Sequence, residues 1–104
     1  MPTQTIAGHT VELDEQGYLT DASQWNRDIA QAFASEAGIE LNDDHWTIID
    51  FCRSDAAEQG SAPGLRRITK QTGIKTKTIY KLFPGGPGKL AAKLSGLKKP
   101  QSCV

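Results

Sequence analysis

The chain closes on Gly-Leu-Lys-Lys-Pro-Gln-Ser-Cys-Val, which sets a thiol, Cys103, one residue from the last. The final residues of a domain rarely pack, so this side chain reads as an exposed group rather than as a small core hydrophobe. A thiol attacks as its thiolate, and nearby positive charge favours that form. Lys98 and Lys99 push in this direction; the terminal carboxylate on Val104 pushes back. Seven residue steps separate Gly96 from Cys103, so a fully extended arm carries the sulfur about 23–25 Å from its root. Pro100 favours extended conformations along the way. The competing readings are an inert terminal thiol, which is a standing oxidation liability, and a docking peptide whose cysteine packs into a partner's pocket.

Other residues offer less chemistry. Cys52 falls among the apolar positions of a helical pattern and reads as packing, with redox pairing as the alternative. His9 sits at a hairpin and His45 at a helix start, and with no Cys or His at ligand spacing neither suggests a metal site; both read as exposed structural residues. Asp43, Asp44, Asp50 and Asp55 read as a solvated helix face. No cofactor is implied. The stretch "LRRITKQTGIKTKTIYKLF" has a helix-turn-helix plan around Gly73. Its second helix would present Lys75, Lys77, Thr78 and Lys81 as phosphate contacts, without an Arg, Asn or Gln to read a base edge. A DNA-binding regulator is thus one reading of this unit, and a helical hairpin with a solvated lysine face is the other.

The elements that must position these groups can be laid out from periodicity and breakers. A short hairpin pairs Gln4–Ile6 with Thr10–Leu13, followed by a turn at Asp14–Gly17. A helix capped by Asp21 or Ser23 runs to Gly38 with Trp25, Ile29 and Phe33 on one stripe. A second, capped by Asn42 or Asp43, runs to Gly60. A third follows Pro63 and ends at Gly73, and a fourth ends at Pro84. Within "PGGPG" no helix is expected. Two turns over "KLAAKLSG" follow, with Leu90 and Leu94 on one side, and residues 97–104 form a mobile arm. The expected fold is mainly α with a small N-terminal β-hairpin: a helical bundle containing a helix-turn-helix-like unit, as one domain over residues 1–104.

At 104 residues, with 38% hydrophobic and 23% charged side chains, the composition suits a single globular domain. No run approaches the ~18 apolar residues of a membrane span, and the start lacks a signal-peptide pattern, so a cytoplasmic protein is expected. The formal net charge is zero, but every Asp and Glu precedes Ser61, while ten of the twelve Lys and Arg follow it. Either the two halves fold together and neutralise one another, or the C-terminal half meets something negative.

The segment "LFPGGPGKLAAKLSGLKKPQSCV" strongly resembles the C-terminal signature of the DsrC/TusE family, through Leu82, Phe83, Pro84, Gly86, Pro87, Lys89, Ala91, Gly96, Leu97, Lys99, Pro100, Cys103 and Val104. The resemblance extends upstream through "DEQGYL", Trp25, "DHWTIIDF" and "GSAPGLRRITKQTGIK". It implies a small cytoplasmic sulfur-relay protein whose penultimate cysteine, Cys103, carries sulfur as a persulfide and presents it inside a partner. The implied partners are a protein sulfur donor and acceptor, a TusBCD-like or sulfite-reductase-like complex, acting in tRNA thiolation or in sulfur oxidation and reduction. Arg66, Lys70, Lys89, Lys98 and Lys99 would steer the arm onto an acidic partner. The family's second arm cysteine, eleven residues before the first, is replaced here by Ala92, so an intramolecular disulfide on the arm is not available. Ala56 and Ala57 stand where an aromatic pair is usual, and Arg67 where an apolar residue is usual. Single-cysteine relatives have also been proposed to act in regulation.

Overall fold

The computed structural model describes residues 3–100. Strands β1 (Thr3–Ile6) and β2 (His9–Glu12) pair antiparallel, with Ile6 opposite His9 and Thr3 opposite Glu12. The connection is the two residues Ala7 and Gly8, both at positive φ (51° and 82°), the geometry that matches the twist of paired strands. The second strand therefore starts one residue earlier than its pattern suggested. Leu13 lies beyond it and bridges to Leu19 across the Asp14–Gly17 turn. The Asp14 carboxylate holds that turn by accepting from the Gln16 and Tyr18 amides at 2.8 and 3.0 Å. A strand pair has open edges, and one is partly closed by a side chain. Gln24 accepts from the Glu12 amide at 2.7 Å and donates to the Glu12 carbonyl at 3.2 Å, as a third strand would.

The first helix begins later than expected. Asp21 caps only a short 3-10 turn, Ala22–Gln24, through the Ser23 amide. Trp25 and Asn26 are then extended, and Asn26 caps α1 (Arg27–Glu36) by accepting from Ile29 N at 2.9 Å. Asn26 outcompeted the earlier caps because its extended backbone puts its side chain on the true first turn. Trp25 is consequently not part of the α1 stripe, and the buried residues of that helix are Ile29, Ala30, Phe33 and Ala34.

Helix α2 (Asp43–Gln59) starts at Asn42 and stops at Gly60, which is left-handed at φ 84°. Helices α3 (Leu65–Thr72) and α4 (Thr76–Leu82) enclose the turn at Gly73. Thr69 and Thr72 tie this corner with their hydroxyls. Thr72 Oγ1 donates to Ile68 O at 2.6 Å and accepts from Ile74 N at 3.2 Å, and Thr69 and Thr76 share a 3.1 Å hydrogen bond. Helix α5 (Pro87–Leu94) starts inside the Pro-Gly stretch that was expected to be non-helical. Proline at the first helical position loses no hydrogen bond and brings a suitable φ, which overrides the breaker reading. The helix packs against α1, α2 and α4, burying Pro87, Gly88, Ala91, Ala92 and Leu94, while Leu90 is only half-buried. Among the described residues no helix is long and apolar enough to cross a membrane.

Candidate functional site

The C-terminus of α5 is where any arm must leave the body. A helix end presents unpaired carbonyls, and here long-range side chains and the chain's own turn take them up. Trp25 Nε1 donates to Leu94 O at 2.7 Å, and Arg53 Nη1 donates to Ser95 O at 2.9 Å and to Ala22 O at 3.4 Å. The guanidinium carbon lies 4.2 Å from the Trp25 ring centroid, so the cation is also held against the aromatic face. Gly96 turns left-handed at φ 74°, its amide bonding to Lys93 O while the Leu97 amide bonds to Ala92 O. These two bonds form a Schellman stop, with Leu97 as its buried apolar contact. Lys98 and Lys99 are exposed and Pro100 is buried, so the first residues of the 97–104 segment lie on the body. Cys103 lies outside the described residues.

Beside this exit is a groove of about 410 Å3. It lies between the C-terminal half of α2, the loop after it and residues 96–99. Ala56, Ala57 and Ala62 give it apolar walls, Arg53, Lys98 and Lys99 are its ionic side chains, and no carboxylate lines it among the described residues. Burial lowers the pKa of Arg53, against a smaller upward pull from Asp50.

Cys52 is only 1% exposed. Burial is the main cause that raises its thiol pKa to about 12; Asp55 adds to the rise, and Ser95 opposes it. The Ser95 hydroxyl is itself fully buried and makes no conventional hydrogen bond. A thiol held neutral in this way is a packing residue, as its helical position suggested. Native protein treated with iodoacetamide at pH 8 should gain label at Cys103 and none at Cys52, with both labelled in denaturant. The unfolded thiol ionises near 9.0. Cys52 should therefore leave stability unchanged below about pH 9 and erode it as the pH rises from 9 towards 12. Wild type and Cys52→Ala compared in alkaline urea melts would show this difference.

Two expected surface residues are in the interior. His45 is 3% exposed: Nδ1 accepts from the Asn42 amide at 3.0 Å and Nε2 bonds Leu82 O at 2.7 Å. Its ring meets Phe83 edge-on at 5.1 Å. It is exchanged from surface to core because its first-turn position faces the end of α4. Asp55 is likewise buried, with a forked ion pair to Arg67: Nε lies 3.0 and 2.9 Å from the two carboxylate oxygens, and Nη2 2.6 Å from one. The unexpected Arg67 thus has a partner that ties α3 to α2. His9, Asp43, Asp44 and Asp50 are exposed as anticipated.

Of the residues expected to guide a partner, Lys98 and Lys99 line the groove. Arg66 and Lys70 on α3 and Lys89 on α5 are exposed but do not line it. Arg53, which sequence reasoning did not select, joins the two lysines there. Its position one residue after Cys52 was the available signal, since a cation beside a core position must lie at the edge of that core. Lys75, Lys77 and Lys81 are exposed on and beside α4, whereas Thr78 is half-buried.

A model of the family described as DsrC like protein matches residues 5–104, a span that includes the terminal Cys-Val. A sulfurtransferase TusE homolog of Haemophilus influenzae is 41% identical, with 95% of this chain and 97% of that protein aligned. The gamma subunit of the dissimilatory-type sulfite reductase of Nitratidesulfovibrio vulgaris is 40% identical over the whole of both chains. The solution structure of Allochromatium vinosum DsrC superposes with a TM-score of 0.85 at 37% identity, covering 98% of this chain and 97% of that one. These relatives are named for sulfur transfer and sulfite reduction, and the DNA-binding reading finds no support among them. With a hairpin before five packed α-helices among the described residues and a family match that spans residues 5–104, this chain belongs to the DsrC family.

Proposed function

We propose that the protein is a sulfur-relay carrier that takes up and hands on persulfide sulfur at Cys103. The observation that carries this reading is the family match running through the final Cys-Val, on a helix end whose exit direction is held by Trp25, Arg53 and Gly96. The donor's outer sulfur moves to the Cys103 thiolate, and the same sulfur is later released to an acceptor thiol or electrophile. The body supplies a rigid base and a cationic exit. Lys98 and Lys99 there, with Arg66, Lys70 and Lys89 farther off, speed encounter with an acidic protein partner of the sulfite-reductase or TusBCD kind in the cytoplasm. Ala92 is 1% exposed within α5 and carries no thiol, so the cycle runs on one sulfur and closes no arm disulfide.

Incubation with a persulfide donor should add one sulfur, about 32 Da, to the intact protein. Peptide mapping should place it on Cys103, and Cys103→Ser should abolish the gain. Sulfur on Cys52, or none on any residue, would overturn the proposal.

A further inference from the structure

The groove beside the exit has a chemistry that the relay reading does not use. Its volume, about 410 Å3, lies in the range of small-molecule sites, ~300–1,000 Å3, and it combines apolar walls with a few polar groups as such sites do. Arg53 is the telling member. It is a partly desolvated cation whose contacts among the described residues are neutral: the carbonyls Ser95 O and Ala22 O and the face of Trp25. The ion pair found among the described residues belongs to Arg67 and Asp55. Carbonyls and a ring stabilise the cation without neutralising it, so its net charge is available to an anion in the groove. Lys98 and Lys99 add positive charge to the same cleft. Asp21, which interacts with Lys98, and Asp50, one helical turn before Arg53, do not line it. The small side chains of Ala56 and Ala57 leave the space open.

We infer that this groove is a binding site for a low-molecular-weight thiol persulfide bearing carboxylates, which loads the terminal cysteine directly. The inference rests on the relay reading of Cys103. Carboxylates meet Arg53, Lys98 and Lys99, and the aliphatic body lies on Ala56, Ala57 and Ala62. From Lys99 to Cys103 there are four residue steps, at most about 14 Å of chain, so the thiol is within reach of a molecule in the groove. The Cys103 thiolate attacks the outer sulfur of R–S–S–H. A new S–S bond forms at Cys103 as the donor's S–S bond breaks, and the inner sulfur leaves with the bonding pair as R–S⁻. The outer sulfur keeps its hydrogen, one negative charge passes from Cys103 to the leaving thiolate, and there is no net oxidation or reduction.

The test uses the full chain and three probes: S-methylglutathione as an unreactive ligand, glutathione persulfide as donor, and inorganic polysulfide as a donor too small to need the groove. Amide shifts on titration with S-methylglutathione should concentrate at Ala56, Ala57, Ser61, Ala62, Lys98 and Lys99, and weaken with salt. Ala57 is exposed, so Ala57→Trp should fill the groove while leaving the fold intact. This variant should lose the shifts and accept sulfur from glutathione persulfide at least tenfold more slowly, with loading from polysulfide within twofold of wild type. Lys98→Gln/Lys99→Gln should weaken S-methylglutathione binding in the same direction. Absence of shifts at millimolar ligand, or unchanged loading of Ala57→Trp by glutathione persulfide, would overturn the site. So would shifts at these amides that arise only on removing residues 101–104, because the groove would then serve the chain's own end. If polysulfide also fails to load Cys103 in wild type, the relay reading itself has failed.

Discussion

Gly96→Ala is expected to lower stability by about 3 kcal/mol, far more than a single added methyl normally costs. Two effects combine. At φ 74° an L-residue pays roughly 1–2 kcal/mol for the left-handed conformation. In addition, a Cβ built there would lie 2.5 Å from Trp25 Cβ, 2.6 Å from Cδ1 and 2.7 Å from Cγ. Rotating the indole does not relieve the first of these contacts, because the Trp25 Cβ moves only with its backbone. The ring is also pinned by its bond to Leu94 O and by the Arg53 cation. Gly73→Ala is the control: it has nearly the same φ, 77°, with nothing within 4 Å of the added carbon, and should cost only about 1 kcal/mol. Urea melts of the two variants separate the terms. Equal midpoints would mean that the Trp25 contact carries no energy and that the exit is not clamped. If the clamp holds, Gly96→Ala should also shift the Trp25 indole NH resonance, and Gly73→Ala should leave it in place.

What could be read from the sequence followed from local chemistry. Asn42, Gly60 and Gly73 marked real helix ends because a cap or a left-handed stop acts on its immediate neighbours. Cys52 was placed correctly because three and four residue spacings decide a helix face. Trp25, His45 and Asp55 were misplaced because their partners lie far along the chain. Trp25 meets Leu94 69 positions later, and His45 meets Leu82 37 positions later. Nothing in a window around His45 distinguishes a first-turn histidine facing water from one facing the end of another helix. The groove was hidden for a similar reason. It is a space left between four stretches of chain, and its trace in the sequence is the run of small residues around Ala56 and Ala57.

Close ion pairing accounts for little of the charge division. If the halves neutralised one another, ion pairs would join the acidic first sixty residues to the basic remainder, yet among the described residues that pairing is confined to Asp55 with Arg67. Among the same residues three cations rest on aromatic faces, of which Lys93 alone belongs to the basic part of the chain. Arg27 lies 4.4 Å from the Trp46 centroid, Arg53 4.2 Å from that of Trp25, and Lys93 5.3 Å from that of Phe33. A cation on a ring keeps its charge available to a partner, whereas one paired with a carboxylate does not. On α3, on α4 and at the exit, exposed lysines that join no ion pair among the described residues present their charge outward.

His45→Leu should prove about as costly as Gly96→Ala, although leucine fills much of the same volume. The histidine joins the start of α2 to the end of α4, and leucine can make neither bond. The Asn42 amide is at an exposed helix start and can turn to water, so its loss is cheap. Leu82 O is different: its bond to Nε2 is buried, and a stranded carbonyl there costs about 1–3 kcal/mol. Losing the edge-on contact with Phe83 adds about 0.5–1 kcal/mol. A total near 3 kcal/mol corresponds to a Tm lowered by about 12–24 °C in a domain of this size. His45→Gln, which retains an amide donor of similar reach, should recover part of that loss. If His45→Leu melts with wild type, the bond to α4 contributes nothing. Because α4 ends at Leu82 and only Phe83 to Gly86 separate it from α5, loosening this joint should also be felt at the exit. Amide exchange at Ala91 to Leu94 should accelerate in His45→Leu, and should be unchanged if the two ends of α5 are independent.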